Sequence, residues 1–287
     1  MMAQSEMKKT VKVRVGTYNL RRAPLDAKSP DNNWAVREPR LIQSILHCGF
    51  DLCGLQEVDE PEQESILRML SEAGVEYGRY FFSPYAEDGV GNKAHGLIWR
   101  KDRFEPVGDP HYFWVSSPPE KIQYNDYLAR TNKRFIRGGF CLIIRDLANK
   151  GAQYFIMVTH APLNKEMHAE NAHVFVDIEK KYNPTGLPSF FVGDFNARET
   201  DKCSLTYRTW WADSYHYFDR NPSLRQGPFA TFNGWEPKTA PASNARIDFI
   251  YFRGECVKPL NYVCDDRLYD GLCASDHFPV GVDFRIL

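Results

Sequence analysis

The chain has 287 residues, with 36 Lys and Arg against 37 Asp and Glu and a formal net charge of -1. This balance excludes a general electrostatic attraction to nucleic acid or to an anionic membrane, and only a local basic cleft would supply one. Hydrophobic residues make up 43% of the chain and aromatic residues 14%, which is enough for a large core.

Seven cysteines, an odd number, are scattered without a CxxC pair. The pattern argues against a zinc knuckle or a disulfide framework and favours reduced, mostly buried thiols. Residues 1–10 are polar, and no stretch of the chain resembles a signal sequence or a membrane span. We predict a disordered tail over residues 1–10 and a cytoplasmic location, with a signal peptide already removed as the alternative.

Hydrophobic periodicity predicts the secondary structure in chain order. Val11, Val13 and Val15 alternate with basic residues, which is typical of a half-buried strand ending at Asn19. Helices are predicted over 37–48, 62–73 and 165–181, the first placed so that Pro39 falls in its first turn, where proline is tolerated. Further strands are predicted over 51–55, 77–82, 95–99, 103–114 (broken), 139–145, 154–159, 189–192, 247–252 and 278–284.

Strands outnumber helices, and the pair at 139–145 and 154–159 is typical of a hairpin. This organisation predicts mixed sheets with helices on their outer faces. No repeat, low-complexity stretch or linker interrupts the sequence. We therefore predict a single domain over residues 1–287.

Polar residues stand at the ends of most predicted strands. Each has an ordinary structural explanation when taken alone. Asn19 suits a turn, and Glu57 suits the N-terminus of a helix. Asp248 suits a buried ion pair with Arg246. The full set is Asn19, Glu57, His160, Asp194 with Asn196, Asp248, and Asp276 with His277.

Together these residues make a chemically complete set. Asp194 and Asn196 lie two apart, so both can face one pocket while Phe195 turns to the core. A carboxylate beside an amide is suited to holding a water and a phosphoryl oxygen. Oxygen ligands such as those of Asn19, Glu57 and Asp276 suit Mg²⁺. The Asp248 carboxylate can hold the His277 imidazole in one orientation. His160 and Asn196 can donate hydrogen bonds to phosphate oxygens.

The chain resembles the endonuclease/exonuclease/phosphatase superfamily, whose fold is that of pancreatic-type deoxyribonucleases, apurinic endonucleases, sphingomyelinases and deadenylases. The segments that carry the resemblance cover nearly the whole chain: VRVGTYNL, DLCGLQEV, YFIMVTHAPLN, FFVGDFNARETD, RIDFIYF and SDHFPV. GDFN, the Gln-Glu pair and the terminal SDH, in this order, form a specific combination. DNNWAVREPRL, FWVSSPP and TFNGW resemble a bacterial branch of unassigned substrate.

The resemblance implies an α/β (α+β) fold of the DNase I-like type: a four-layer sandwich of two central mixed β-sheets flanked by helices. It also implies a role for each residue. Glu57 would ligate an essential Mg²⁺ (Mn²⁺ is possible), with Asn19 and Asp276 beside it. Asp194 would orient or deprotonate the attacking water, and Asn196 would position the phosphate. His277, supported by Asp248, would bind or protonate phosphoryl oxygens, and His160 would do so from the other side. The choice of general base between Asp194 and His277 stays open.

One departure from the family pattern concerns a carboxylate. Many relatives carry an acidic residue shortly before the strand HGLIWR, where this chain has Lys93 and where only Asp88 lies within loop reach. His95 has two interpretations: a phosphate contact in place of the missing carboxylate, or a histidine at the edge of the core. The second is favoured.

Residues 116–133 are expected to be irregular and to border the site. A basic cluster follows within and after this segment, and we interpret most of it as a solvated loop face; its members are Arg130, Lys133, Arg134 and Arg137. Arg130 is the predicted contact to the substrate phosphate. Four aromatic residues could offer a stacking surface for a base or sugar, but the favoured interpretation is that they belong to the core: Trp34, Trp114, Tyr124 and Trp235.

The sequence therefore predicts a divalent-metal-dependent hydrolase of phosphoester bonds: a phosphodiesterase, nuclease or phosphatase acting on a small molecule or on nucleic acid. It is expected to be a monomer. The alternative from another class is a catalytically impaired binding module that keeps the fold. A nuclease that engages long polymers would show a basic groove, and the near-neutral charge argues against one.

Overall fold

The computed structural model describes residues 11–83, 94–121, 137–236 and 245–287. Within these ranges the chain forms thirteen strands and four α-helices. The strands are β1 (Val11–Asn19), β2 (Leu52–Gln56), β3 (Tyr77–Phe82), β4 (His95–Arg100), β5 (Phe104–Trp114), β6 (Gly138–Asp146), β7 (Ala152–His160), β8 (Ser189–Asp194), β9 (Ala212–Asp213), β10 (Arg225–Gln226), β11 (Asp248–Arg253), β12 (Val257–Cys264) and β13 (Val280–Ile286). The helices are α1 (Trp34–Cys48), α2 (Glu60–Glu72), α3 (Lys165–Tyr182) and α4 (Lys202–Arg208).

The strands form two mixed sheets. One has the order β10-β12-β13-β1-β2-β4-β3 and the other β5-β6-β7-β8-β11-β9. Each contains a parallel pair, β1 with β2 and β7 with β8, among antiparallel neighbours. The predicted hairpin is confirmed, because β6 and β7 pair antiparallel. The break predicted within 103–114 is confirmed as an irregularity between Val107 and His111.

The two sheets pack face to face, and the helices cover their outer faces. Val15, Val158 and Val192 belong to one buried cluster drawn from both sheets. The sheets approach so closely that a Cβ at Gly54 would lie 2.7 Å from Val192 Cγ2, so no side chain fits there. Apolar residues of α1 and α2 cover the outer face of the first sheet, and those of α3 cover that of the second. These layers confirm the predicted four-layer sandwich.

Side-chain alternation decides which residues reach the space between the sheets. On each strand, every second residue faces the other sheet. Val13 and Val15 face inward, and so does Asn19 on the same strand. The same count places Gln56, His160, Asp194 and Asp248 on inner faces, because they lie two or four residues from inward apolar residues.

Three predictions of local structure were wrong. α1 begins at Trp34, three residues before the predicted start, because Asn33 caps it by accepting from the Val36 backbone N–H at 3.3 Å. Pro39 therefore lies inside the helix rather than in its first turn. The short helix α4 and the strand β12 were not predicted. β12 contains Pro259 at a register irregularity, which interrupts the strand pattern.

All seven cysteines are free, and five of them are buried, as their spacing predicted. No helix within the described residues is long and apolar enough to cross a membrane. Residues 1–10 lie outside the described ranges, and the single domain stays a prediction.

Candidate active site

The strand register brings three of the predicted residues side by side. His160 on β7 lies opposite Asp194 on β8, and Asp194 lies opposite Asp248 on β11. All three share the inner face of the second sheet, at one end of the sandwich. In the first sheet, Asn19 on β1 lies opposite Gln56 on β2. The two rows of polar side chains thus meet across the space between the sheets.

Asp194 is the residue on which these contacts converge. Its Oδ2 accepts from Asn19 Nδ2 at 2.9 Å, and its Oδ1 accepts from the Asn196 backbone N–H at 2.9 Å. His160 Nε2 lies 3.3 Å from Oδ2, and His277 Nε2 lies 3.9 Å from it. Burial alone would raise the pKa of Asp194, but the two imidazoles and the hydrogen bonds hold it well below its ordinary value. Asp194 is therefore a carboxylate at neutral pH.

His277 is held by Asp248. Its Nδ1 lies 2.9 Å from Asp248 Oδ2, and both side chains are buried. Burial alone would lower the pKa of His277, but the Asp248 carboxylate and the nearby Asp194 raise it to about 10. The Asp248 backbone N–H is in turn held by Thr231 Oγ1 at 3.0 Å. At neutral pH His277 is an imidazolium whose Nε2 faces Asp194.

His160 is in the opposite charge state. Burial lowers its pKa to about 4, and the nearby Arg137 acts in the same direction, against the charges of Asp194 and Glu57. One neutral and one protonated imidazole therefore flank the same carboxylate. In active sites, two titratable groups whose environments shift their pKa values in opposite directions can take different roles. Here the protonated His277 could give up a proton, whereas the neutral His160 could only donate a hydrogen bond.

Asn196 lies beside Asp194 but is partly engaged. Its Nδ2 donates to the Ala161 carbonyl at 3.0 Å, which leaves one amide hydrogen and the side-chain oxygen for a ligand. Phe195 is fully buried in the outer cluster of the second sheet, as predicted. The preceding Gly193 is required sterically, because a Cβ there would lie 2.2 Å from the Thr159 carbonyl oxygen.

Glu57 and Asp276 lie at the first sheet's side of the site. Both are almost fully buried. Burial raises the pKa of Asp276, and the charge of Glu57 raises it further, against His277 and Arg21. Arg21 Nη1 contacts Asp276 Oδ2 at 3.2 Å, and the Arg22 backbone N–H approaches Glu57 Oε2 at 3.4 Å. Glu57 and Asp276 are thus two neighbouring, buried carboxylates that interact electrostatically.

Several residues of the site adopt left-handed backbone conformations. Arg21, Glu57, Asn196 and Trp235 have φ of 57°, 55°, 48° and 71°. Such conformations are unfavourable for residues other than glycine and persist where surrounding contacts hold them. The site is thus built on turns that the rest of the fold maintains.

A second grouping of possible ligands overlaps the first. Asp194, Asp248 and His277 each offer one atom within 4.8 Å of the others, close enough to surround a metal ion. The predicted metal set was Asn19, Glu57 and Asp276 instead. The ion pair with Arg246, which was the structural alternative for Asp248, is not formed within the described residues: Arg246 pairs with Asp213 and Glu199, at 2.6 Å and 2.8 Å.

Sequence reasoning missed three residues that support the site. Ser275 Oγ donates to the Asn19 carbonyl at 2.7 Å. Thr231 holds the Asp248 backbone, as described above. Arg37 is fully buried among backbone carbonyls next to the Asn19 turn. Ser275 is the first residue of SDHFPV and Thr231 the first of TFNGW, so the motifs carried a usable signal, whereas nothing distinguished Arg37 from other helix residues.

Most of the remaining candidates lie outside the described residues. Arg130, Lys133, Arg134, Tyr124, Lys93 and Asp88 fall in the ranges that the structure does not describe. Arg137 is 2% exposed, so its interpretation as part of a solvated face was wrong. His95 is buried between Phe82 and Phe140, as the core-edge interpretation expects.

The aromatic candidates have packing roles. Trp34 and Trp235 flank the Arg37 guanidinium, at 4.8 Å and 5.8 Å from its carbon to the ring centres. Trp114 packs against Phe82, with ring centres 5.7 Å apart.

Comparison with solved structures shows the same fold in bacterial proteins. An endonuclease/exonuclease/phosphatase from Bacteroides vulgatus is 24% identical, with a TM-score of 0.79 over 96% of this chain and 100% of that one. A family protein from Bacteroides thetaiotaomicron is 22% identical, with a TM-score of 0.79 over 97% and 99%. The mannosyl-6-phosphatase of Bacteroides thetaiotaomicron VPI-5482 is 22% identical, with a TM-score of 0.74 over 95% and 99%.

No curated protein sequence matches the chain. The family model described as "Endonuclease/Exonuclease/phosphatase family" matches residues 16–277, from the end of β1 to His277. This match spans most of the chain and includes every described residue of the pocket. The chain therefore belongs to the endonuclease/exonuclease/phosphatase family.

Proposed function

We propose that this protein hydrolyses phosphoester bonds with the help of a divalent metal ion. The observation that carries the proposal is the convergence on Asp194 of Asn19, His160, Asn196 and His277, in a buried pocket between two sheets. Membership of a family named for endonucleases, exonucleases and phosphatases supports the reaction class. All of these enzymes transfer a phosphoryl or phosphodiester group to water.

The residues at the Glu57 side fit a hard cation. Glu57 and Asp276 supply carboxylate oxygens and Asn19 an amide oxygen, the ligand type that Mg²⁺ and Mn²⁺ prefer. Burial is the main cause of the raised pKa of Asp276, and the negative charge of Glu57 acts in the same direction. A cation there would relieve the repulsion. When bound, it would act as a Lewis acid on the phosphoryl group and neutralise the leaving oxygen.

Asp194, Asp248 and His277 make a weaker metal site, despite their proximity. Asp248 already holds His277 through a 2.9 Å contact, and the raised pKa of His277 means that the ring carries a proton. A protonated imidazole has no lone pair for a metal. We therefore assign metal binding to Asn19, Glu57 and Asp276.

We assign to Asp194 the role of holding the attacking water. Its strongly lowered pKa keeps it ionised, so it can accept a hydrogen bond from the water but is a weak base, and it would chiefly orient the water rather than deprotonate it in advance. Asn19 and the Asn196 backbone fix its two oxygens in place. This fixed orientation supports positioning as the main contribution of Asp194.

The two histidines and Asn196 are assigned to the phosphoryl oxygens. His277, charged and held by Asp248, would donate from Nε2 to an oxygen on which negative charge develops. His160, neutral, would donate a hydrogen bond from the other side without giving up a proton. Asn196 would contribute its remaining amide hydrogen. Arg130 stays a predicted substrate contact.

Sugar phosphates are the first substrates to test, because one solved structure of the same fold is named a mannosyl-6-phosphatase. Its 22% identity establishes the fold and leaves the substrate to experiment. The net charge of -1 argues against a polymer substrate. The panel should therefore contain phosphomonoesters of sugars and nucleotides and small phosphodiesters, each with Mg²⁺, Mn²⁺ or chelator.

We expect turnover that chelator abolishes and that Asp194→Ala lowers by roughly 10²- to 10⁴-fold, the range typical of a positioned acid or base group. Asp219→Asn changes an exposed carboxylate that pairs with His216, and this control should keep full activity. Equal rates for the wild type and Asp194→Ala would exclude the role of Asp194. Absence of turnover together with absence of Mg²⁺ or Mn²⁺ binding by calorimetry would favour the impaired binding module.

A further inference from the structure

Arg37 is a buried arginine whose bonds all go to the backbone. It is 0% exposed. Within the described residues its guanidinium donates to the carbonyls of Asn32 at 2.9 Å, Leu20 at 2.6 Å and Ala274 at 3.5 Å, and also to that of Arg21. No carboxylate in the described ranges is bonded to it. A buried charge without an opposite partner is unfavourable, so packing alone is a poor reason for an arginine here.

The carbonyls that Arg37 binds belong to segments that carry two residues of the site. Leu20 and Arg21 directly follow Asn19, and Ala274 stands two residues before Asp276. A guanidinium presents donors in a fixed planar fork and can hold several carbonyls at once. Arg37 therefore joins the end of β1 to the segment before β13.

The contact at Arg21 reaches the Asp194 carboxylate through two further hydrogen bonds. Arg21 has a φ of 57°, and its backbone N–H donates to Asn19 Oδ1 at 2.9 Å. That bond orients the Asn19 amide so that Nδ2 donates to Asp194 Oδ2 at 2.9 Å. The left-handed turn at Arg21 is unfavourable for a residue with a Cβ, and the Arg37 guanidinium on its carbonyl helps to hold it.

We propose that Arg37 is a positioning residue, which fixes the Asn19 side chain and the spacing between Asn19 and Asp276 through the Leu20, Arg21 and Ala274 carbonyls. Trp34 and Trp235 cover its two sides and keep it from water. The expected effect of Arg37 on metal binding rests on the proposed function. Its expected effect on the position of the Asn19 side chain rests on the described contacts alone.

Arg40 on the same helix provides a matched control. It is also buried, at 4% exposed, and it also donates to a backbone carbonyl, that of Asp31. It makes no hydrogen bond to Leu20, Arg21 or Ala274 within the described residues. The Arg40 guanidinium makes fewer hydrogen bonds than that of Arg37. Arg37→Lys and Arg40→Lys thus each remove a buried guanidinium from α1, but only the first removes hydrogen bonds to segments of the site.

The first measurement needs neither metal nor substrate. In metal-free protein, the side-chain amide resonances of Asn19, assigned by their loss in Asn19→Asp, are compared by NMR across the variants. We expect them to move in Arg37→Lys and to stay in place in Arg40→Lys. The double variant Arg21→Gly with Arg37→Lys should return them towards the wild-type position, because glycine adopts a positive φ without support. This double variant also carries the test if Arg37→Lys alone does not fold.

The second measurement is the Kd for Mn²⁺ by calorimetry, with Tm recorded for each variant. We expect Arg37→Lys to weaken Mn²⁺ binding by roughly 10- to 100-fold, the range for groups that orient metal ligands, and Arg40→Lys to leave it within about twofold. Tm reports separately how far each substitution destabilises the fold. Unchanged Asn19 resonances in Arg37→Lys, or equal loss of affinity in both variants, would overturn the inference. If the wild type binds no metal, the proposed function fails, and the NMR comparison still decides on Arg37.

Discussion

Asn19 Nδ2 donates to Asp194 Oδ2 at 2.9 Å, and this hydrogen bond joins the inner faces of two different sheets. Asn19 ends β1 and Asp194 ends β8, 175 residues apart in sequence. Both side chains are buried, so the bond is shielded from water and the loss of either partner leaves a buried polar group unsatisfied. The site therefore depends on how the two sheets are docked as well as on the residues of either one.

A double-mutant cycle measures this link directly. Asn19→Ala and Asp194→Asn, singly and together, should give a coupling of about 0.5 to 3 kcal/mol in the free energy of unfolding, because the two groups are in contact and buried. The measurement is urea denaturation in metal-free buffer. The same cycle with Asn19→Ala and the exposed Asp219→Asn should be additive. Additivity in the first cycle would mean that the contact contributes nothing to sheet docking.

The Asp248–His277 pair predicts an unusual histidine titration. Asp248 raises the pKa of His277 to about 10, so the imidazole should remain protonated at pH 8 in metal-free protein. Asp248→Asn should lower this pKa by about 1 to 3 units, the usual effect of one adjacent charge. The imidazole resonances of His277, followed by NMR from pH 5 to 11, give both values. A wild-type pKa near 6.5 would contradict the assignment of His277 as a charged donor.

The same shift has a consequence for stability. Because the folded-state pKa of His277 is above the unfolded value, its contribution is complete below pH 6.5 and is lost as the pH rises towards 10. Each bound proton contributes a slope of about 1.4 kcal/mol per pH unit. Asp248→Asn should reduce the fall in the free energy of unfolding over this range.

The residues at the strand ends were predictable because of local regularities. Alternation along β1, β7, β8 and β11 fixes which residues face inward, and that count alone places Asp194 and Phe195 on opposite faces. Motif order gave the family and hence the sandwich. The register that aligns His160, Asp194 and Asp248 depends on pairings between distant segments, which no local pattern contains.

The choice of partners among charged residues was less predictable. Arg246 lies two residues before Asp248, at the start of β11, and this spacing suggested an ion pair. The structure directs Arg246 to Asp213 and Asp248 to His277, because β9 and the His277 segment approach from different sides. Arg37 was missed for the same reason: its carbonyl acceptors come from three separate parts of the chain. Partner choice is decided by tertiary packing, after the local pattern is fixed.

The Arg246–Asp213 ion pair predicts a large loss of stability on mutation. Both side chains are 1% exposed, and Arg246 also bonds Glu199. Arg246→Met would leave the Asp213 carboxylate buried without its cationic partner, which destabilises by about 3 to 5 kcal/mol. Urea denaturation at pH 7 measures the loss.

An exposed pair provides the comparison for Arg246. Arg225 contacts Asp219 at 2.8 Å, but the Asp219 side chain is 56% exposed. Arg225→Met should therefore change the free energy of unfolding by no more than about 1 kcal/mol. The double variant Arg246→Met with Asp213→Leu should recover part of the loss, since it removes the stranded charge. Similar losses for Arg246→Met and Arg225→Met would show that burial of the first pair has little energetic effect.

His168 predicts a pH dependence of the opposite sign to that of His277. It is buried on α3, its Nε2 lies 2.7 Å from the Tyr207 hydroxyl, and burial lowers its pKa to about 4. Above pH 6.5 the histidine is neutral in both folded and unfolded chains and adds no pH dependence. As the pH falls from 6.5 to 4, the unfolded chain takes up a proton that the folded chain does not, so stability is lost by about 1.4 kcal/mol per pH unit. His168→Gln, which can keep a hydrogen bond to Tyr207, should remove this slope.

His173 is the matched control, because it lies on the same helix and is exposed. His173→Gln should leave the slope unchanged, since its side chain is exposed to solvent. The free energy of unfolding, measured in urea at half-unit steps from pH 4 to 7, should fall less steeply with acid in His168→Gln than in wild type or His173→Gln. The His168→Gln variant should still lose some stability in acid, because the pKa of buried His160 is also lowered to about 4. Parallel curves for all three proteins would show that His168 is protonated in the folded chain, and that its contact with Tyr207 does not require the neutral ring.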